Sequence, residues 1–267
     1  MINYQELLDF IIDVSKEAGK IQLKYFNNLS SLVSKSTNID LLTSADIESE
    51  KYIISRIKKR FINHSIISEE SGDDINNPNY KWIIDPLDGT TNFVHNLPIF
   101  AVSIAFQYKN DTKCAVVYNP AADKCFYAIK NKGAFLNNIK INVTKCKNLS
   151  NSLLATGFPY LHDEKYDISF KIFKEFYDTS RGVRRLGAAS LDLCFVAMGR
   201  FDGFYEFGLK IWDISAGVLI LTESNGKVSD WNNNQMPNNG QRILASNGLI
   251  HSKMSEILSN DKYSIFY

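Results

Sequence analysis

Two carboxylates three positions apart, Asp85 and Asp88, follow the apolar run Trp82-Ile83-Ile84 and precede Gly89-Thr90-Thr91-Asn92-Phe93. Acidic oxygens of this kind suit a hard divalent cation such as Mg2+. Gly89 lets backbone approach a ligand, and Thr90 and Thr91 open a helix whose free N–H groups favour an anion. A buried strand over 81–84 that throws both acids into a tight turn, stiffened by Pro86, would set metal oxygens beside a phosphate cradle. The chemistry described is metal-dependent hydrolysis of a phosphate ester. The same residue types also make an ordinary turn and helix cap, so the wider pattern has to decide.

That pattern holds further acids in similar places. Glu69 and Glu70 end the apolar segment Ser65 to Ser68, and Asp213 follows Ile211-Trp212 and precedes Ile214-Ser-Ala-Gly217. Each alone reads first as a cap or a solvated end. With Asp85 and Asp88, one of the two glutamates and Asp213 would make four carboxylates from strand ends and helix starts, as a hard-cation site requires. The chain has no nucleophile elbow, no H-E-x-x-H and no Walker A sequence, which suits a water nucleophile acidified by metal.

The elements that must position these residues are visible in the periodicity. Leu7, Leu8, Ile11, Ile12, Ala18, Ile21 and Tyr25 predict a long amphipathic first helix, followed by a polar loop from Ser30 to Leu42. Thr43-Ser-Ala-Asp46 has capping-box form and starts a second helix reaching Phe61. The stretch from Gly72 to Asn79 reads as irregular. Segments 101–108, 113–118 and 125–129 predict an antiparallel meander. Helices over 164–177, 188–198, 213–223 and 249–258 then alternate with strands near Val183, up to Glu206, near Val228 and at 243–245. The expected class is α+β, a mixed α/β chain of stacked helix and sheet layers. No linker divides it, so one domain over 1–267 is expected, with lobes of about 1–147 and 148–267.

Composition narrows the function classes. Thirty Lys and Arg against 29 Asp and Glu leave net charge near zero, with no general electrostatic case for nucleic acid or a membrane surface. No apolar run approaches the ~20 residues of a membrane span. Glu6 and Asp9 argue against a signal peptide. Cys114, Cys125, Cys146 and Cys194 lack metal or disulfide spacing and read as reduced thiols of a cytoplasmic protein, which makes the sequons at Asn28 and Asn142 idle.

The motifs carry a family resemblance. Lys35-x4-Asp40-Leu-Leu-Thr-Ser-Ala-Asp46, Ile67-Ser-Glu-Glu70, the run from Trp82 through Phe93 to His95, and Trp212-Asp213-Ile-Ser-Ala-Gly217 resemble the inositol monophosphatase family. The second half, with Arg184-Arg-Leu-Gly-Ala-Ala-Ser-Leu-Asp-Leu193, is most similar to its bacterial SuhB-like branch. The resemblance implies the layered αβαβα sandwich of the sugar phosphatases. It also implies that Glu69, Asp85 and the Leu87 carbonyl hold one Mg2+, that Asp85, Asp88 and Asp213 hold a second, and that Glu69 with waters holds a weaker third; Mn2+ would substitute. Gly89 and Thr90 amides would bind the phosphate, and Thr90 with Asp46 would orient and deprotonate the attacking water.

On the substrate side, the resemblance assigns Glu206 to a ring hydroxyl and Gly187, Ala188 and Ala189 to the sugar-facing loop. Ala188 departs from the Ser or Thr of relatives and loses one hydroxyl contact. Arg184 and Arg185 are expected either at a substrate phosphate or at a partner chain, and His95 reads as a packed side chain. The expected activity is inositol-1-phosphate hydrolysis in the cytoplasm by a homodimer. The alternatives are fructose bisphosphate, a nucleotide 3′-phosphate or histidinol phosphate, or a binding role with the transcription machinery through Arg181 to Arg185.

Overall fold

The computed structural model describes residues 2–27, 32–34, 41–159, 163–236 and 241–266. Helix α1 spans Tyr4–Tyr25, capped by the Asn3 side chain, and its apolar spacing buries Leu7, Leu8, Ile11, Val14 and Ala18. Strands β1 (Leu32–Ser34) and β2 (Leu41–Thr43) pair antiparallel where a polar loop was expected; Lys35 and Asp40 lie outside the described residues. Helix α2 spans Ser44–Arg60 and opens with the expected capping box between Thr43 and Asp46.

Strand β3 (Ser65–Ser68) turns into β4 (Gly72–Asp74), which pairs with it antiparallel. The irregular reading of 72–79 is therefore corrected at its start, where Gly72 takes a left-handed φ of 74° that closes the turn. Strand β5 (Tyr80–Asp88) leads into the short helix α3 (Thr90–Val94). The meander follows as β6 (Ala101–Tyr108), β7 (Asp111–Asn119) and β8 (Lys124–Ile129), extended by β9 (Ala134–Leu136) and β10 (Ile139–Lys140). These strands form one eight-stranded sheet in the order β10-β9-β8-β7-β6-β5-β3-β4.

After a 3-10 turn at Leu149–Asn151 the second half builds β11 (Leu153–Thr156), α4 (Glu164–Thr179), β12 (Gly182–Arg184), α5 (Ala189–Ala197), β13 (Gly203–Phe207), α6 (Ile211–Glu223), β14 (Lys227–Ser229), β15 (Arg242–Ser246) and α7 (His251–Leu258). A last 3-10 segment covers Asp261–Phe266. The five strands are ordered β12-β11-β13-β15-β14. Strand β11 was missed because its apolar run, Leu153-Leu154-Ala155, is only three residues long.

Strand alternation explains the layers. Trp82, Ile84, Val102, Ile104 and Phe106 pack under α1 and α2, whereas Ile83, Ala101 and Ala105 face the other way onto α5 and α6. The far side of α5 and α6 meets Ala155, Phe204, Ile243 and Ala245 of the second sheet, whose opposite face carries α4 and α7. Helices and sheets thus alternate as α, β, α, β, α. Helices α5 and α6 are apolar around most of their circumference because they lie between two sheets. Among the described residues no helix is long and apolar enough to cross a membrane.

Candidate active site

The expected tight turn after Ile84 is instead a bulged strand. Asp85 pairs with Ser103 and Asp88 with Ala101, so three steps along β5 match two along β6. In a regular strand, residues three apart point to opposite faces; the extra residue returns Asp88 to the face of Asp85. Pro86 suits the bulge because it has no N–H to leave unpaired. Gln22 of α1, fully buried, donates to the Pro86 carbonyl at 2.6 Å and fixes the bulge from behind. Both acids therefore face the α5 and α6 layer.

The other acids arrive from that layer and from the sheet edge. Ser103, the cross-strand partner of Asp85, makes a long 3.5 Å bond to the Trp212 carbonyl, which sets the first turn of α6 and Asp213 beside β5. Asp213 accepts from the Lys210 N–H at 2.6 Å, and Glu69 donates its own N–H to the Ile84 carbonyl at 3.2 Å. Burial first, then the charges of Glu69, Asp88, Asp213 and Asp46, push the Asp85 carboxyl well above the usual range. Asp213 is raised likewise, by burial and then by Glu69 and Asp88, against the pull of the Lys210 amide. Asp88 is pushed up to about 6 by burial, moderated by bonds from Ser190 and Ala189. These like charges disfavour one another's ionised form, with the Glu69 charge raising Asp85, Asp88 and Asp213 alike.

Asp46 does two things at once. Its Oδ2 accepts from the Thr43 N–H and hydroxyl at 2.8 and 2.5 Å, while its Oδ1 lies 3.2 Å from the Thr90 hydroxyl. Thr90 is also 3.1 Å from the Leu87 carbonyl. Leu87 buries its side chain with Ala45, Phe93 and Phe100, which leaves only its backbone for the site. Gly89 has φ 92°, and a Cβ there would meet the Ile99 carbonyl at 2.8 Å and the Ala188 methyl at 3.2 Å. Ile99 and Ala188 thus leave no room for a side chain at position 89, and the positive φ also favours glycine there.

The substrate side is tied to this motif by a residue the sequence reading passed over. The Asn92 amide donates to the Ile99 and Leu186 carbonyls at 2.8 and 2.7 Å, which docks the loop of Gly187, Ala188 and Ala189 onto α3. Glu206 stands half-buried at the end of β13, its carboxyl pushed up to about 8 by burial and by Asp213 and eased by Arg185. A Cβ on Gly157 would lie 2.1 Å from the Glu206 carboxyl. The guanidinium of Arg185 folds against Gly187 and also acts on the buried Asp192. Arg184 does not join this cluster: it is exposed, and its Nη1 bonds the Val183 carbonyl at 3.2 Å. Gln22 and Asn92 stand out in the sequence only as polar residues in apolar or motif positions, a signal that does not reveal their partners.

Among the described residues no three His, Cys, Asp or Glu side chains converge tightly enough to hold a metal ion as they stand. The chemistry of the donors still fits a hard divalent cation: carboxylate and carbonyl oxygens only, partly or fully buried, with like charges that a cation would offset. A His or Cys site is not what these residues build.

The model of the inositol monophosphatase family matches residues 3–262. The Nus factor SuhB of Pasteurella multocida is 41% identical over 229 residues, 85% of each chain. The extragenic suppressor protein SuhB of Bartonella henselae superposes with a TM-score of 0.91 at 32% identity, covering 96% of this chain and 99% of that one. The inositol monophosphatase of Anabaena gives 0.86 at 37% identity, covering 96% of both.

Proposed function

The chain belongs to the inositol monophosphatase family, and from that premise we propose that it hydrolyses myo-inositol 1-phosphate to myo-inositol and phosphate with Mg2+. The observation that carries this reading is that Glu69, Asp85, Asp88 and Asp213 are brought to one region from the end of β3, the bulge of β5 and the start of α6. Glu69, Asp85 and the Leu87 carbonyl would hold one ion, Asp85, Asp88 and Asp213 a second, and Glu69 a weaker third. When bound, such ions neutralise phosphoryl charge and make water acidic enough to attack near neutral pH.

The chain's own residues supply the rest. Asp46, fixed by Thr43, accepts from the Thr90 hydroxyl, and the pair orients the attacking water and takes up its proton. The Gly89 and Thr90 amides bind the phosphate at the start of α3. Glu206, its pKa pushed up to about 8, hydrogen-bonds the hydroxyls of a polyol leaving group. Gly187, Ala188 and Ala189 border that group, held in place by Asn92.

A phosphate-release panel with Mg2+ tests this, using inositol 1-phosphate, fructose 1,6-bisphosphate, 3′-phosphoadenosine 5′-phosphate and histidinol phosphate, with Asp88→Asn as the blank. Preference for inositol phosphate, lost in the variant, supports the proposal. Preference for another ester moves the substrate within the same chemistry, and no turnover removes the enzymatic reading.

A second reading has its own support. The Pasteurella relative is named a Nus factor, and Arg181 and Arg184 are exposed here. A contact with the cytoplasmic transcription machinery through Arg181 to Arg185, by a homodimer, would survive Asp88→Asn and be lost on charge reversal at Arg184.

A further inference from the structure

Glu50 lies one helical turn beyond Asp46 on the same face of α2, only 6% exposed, and has no part in the site as described so far. Its Oε1 accepts three hydrogen bonds, from the Ser68 hydroxyl at 2.5 Å, the Glu70 N–H at 3.2 Å and the Ser71 N–H at 3.0 Å. These donors bracket Glu69. Ser68 pairs with Gly72 across the hairpin, so the 69–71 turn has little ladder of its own to hold it. On its other side, the Glu69 N–H is fastened to the Ile84 carbonyl, next to Asp85. Asp85 and Asp88 sit on a strand and Asp213 on a helix; Glu69 alone depends on a turn.

We propose that Glu50 is a positioning residue: by clamping the 68–71 turn to α2 it fixes Glu69, and so sets how tightly the acidic cluster takes a divalent cation. One face of α2 then serves both flanks of the site, with Asp46 reaching Thr90 and Glu50 reaching the turn of Glu69. The inference rests on the metal reading of the cluster given above. Outer-shell partners of metal ligands act in this way, through the orientation of the ligand.

The test uses the full-length protein and Mn2+ as the probe, with free Mn2+ followed by electron paramagnetic resonance and thermal unfolding recorded alongside. Glu50→Ala removes the acceptor, and Mn2+ affinity should fall by about 10- to 100-fold. Glu50→Gln keeps an oxygen where three donors meet and should stay within about threefold of wild type. Ser68→Ala removes one donor without touching Glu50 and should fall between the two. Wild-type affinity in Glu50→Ala overturns the inference, as does equal weakening in Glu50→Ala and Glu50→Gln, which would make charge the operative property. Should Glu50→Ala fail to fold, Ser68→Ala decides: weaker Mn2+ binding supports the clamp and unchanged binding overturns it. A wild type that binds no Mn2+ overturns the metal reading itself, a result distinct from any difference among variants.

Discussion

Ser190 holds Asp88 with both of its polar groups: the backbone N–H and the hydroxyl donate to the same carboxylate oxygen, at 2.8 and 2.5 Å. The pair joins the bulge of β5 to the first turn of α5, two segments that meet only in the folded chain. It also moderates the rise in the Asp88 pKa that burial imposes. Ser190→Ala keeps the amide bond and loses the hydroxyl. The expected cost is about 1–3 kcal/mol, as for a hydrogen bond to a buried charged group, measured by urea unfolding. The Mg2+ concentration for half-maximal phosphate release should rise in the same variant.

Asn92 should behave as a tie between the phosphate motif and the substrate loop. In Asn92→Ala the Ile99 and Leu186 carbonyls lose their donor. Stability should fall by about 1–3 kcal/mol, and kcat/KM for inositol 1-phosphate should fall further than the stability loss alone explains. Circular dichroism melting and steady-state kinetics on one preparation check both.

Gly157→Ala probes Glu206 without altering it. The new methyl would stand 2.1 Å from the carboxyl, so the carboxyl must move. With the proposed contact between Glu206 and a polyol hydroxyl misplaced, KM for inositol 1-phosphate should rise about 10- to 100-fold, while p-nitrophenyl phosphate, which has no ring hydroxyl to lose, changes by less than about threefold. Equal losses on both substrates would show a general defect.

His251 links stability to pH far from the site. It is fully buried, with Nε2 and Nδ1 each 2.8 Å from a serine hydroxyl, Ser229 and Ser246. Burial, aided by Lys227, lowers its pKa from 6.5 to about 4. Between those values the unfolded chain binds a proton that the folded chain refuses. The stability it contributes is therefore complete above about pH 6.5 and is lost as pH falls towards 4, by roughly 2–4 kcal/mol. The buried carboxylates, with raised pKa values, pull the other way. The His251 share is read as the difference between wild type and His251→Asn in urea unfolding at pH 7.5, 6 and 5.

Most of the fold was legible because its helices are amphipathic and long, as with α1 and α2, or bounded by caps and polar turns. The bulge at Pro86 and Leu87 was not, since a turn and a bulge use the same residues and only the pairing with Ser103 and Ala101 separates them. The candidate site was legible in its acids, whose residue types carry the chemistry. Its supports were not: Glu50, Asn92 and Ser190 reach Ser68, Leu186 and Asp88, partners 18 to 102 positions away, and no local spacing encodes such contacts. Arg184 and Arg185 could not be told apart because sequence gives adjacency and not direction; Arg185 folds over Gly187, whereas Arg184 bonds the Val183 carbonyl.

The most direct test is add-back of Mg2+ to metal-stripped protein with inositol 1-phosphate as substrate, comparing wild type with Asp213→Asn. Phosphate release absent without metal, restored in wild type by Mg2+, and not restored in the variant is the result expected if acids from β3, β5 and α6 act as one cation site. Release that persists in stripped protein, or that Asp213→Asn leaves unchanged, would contradict it.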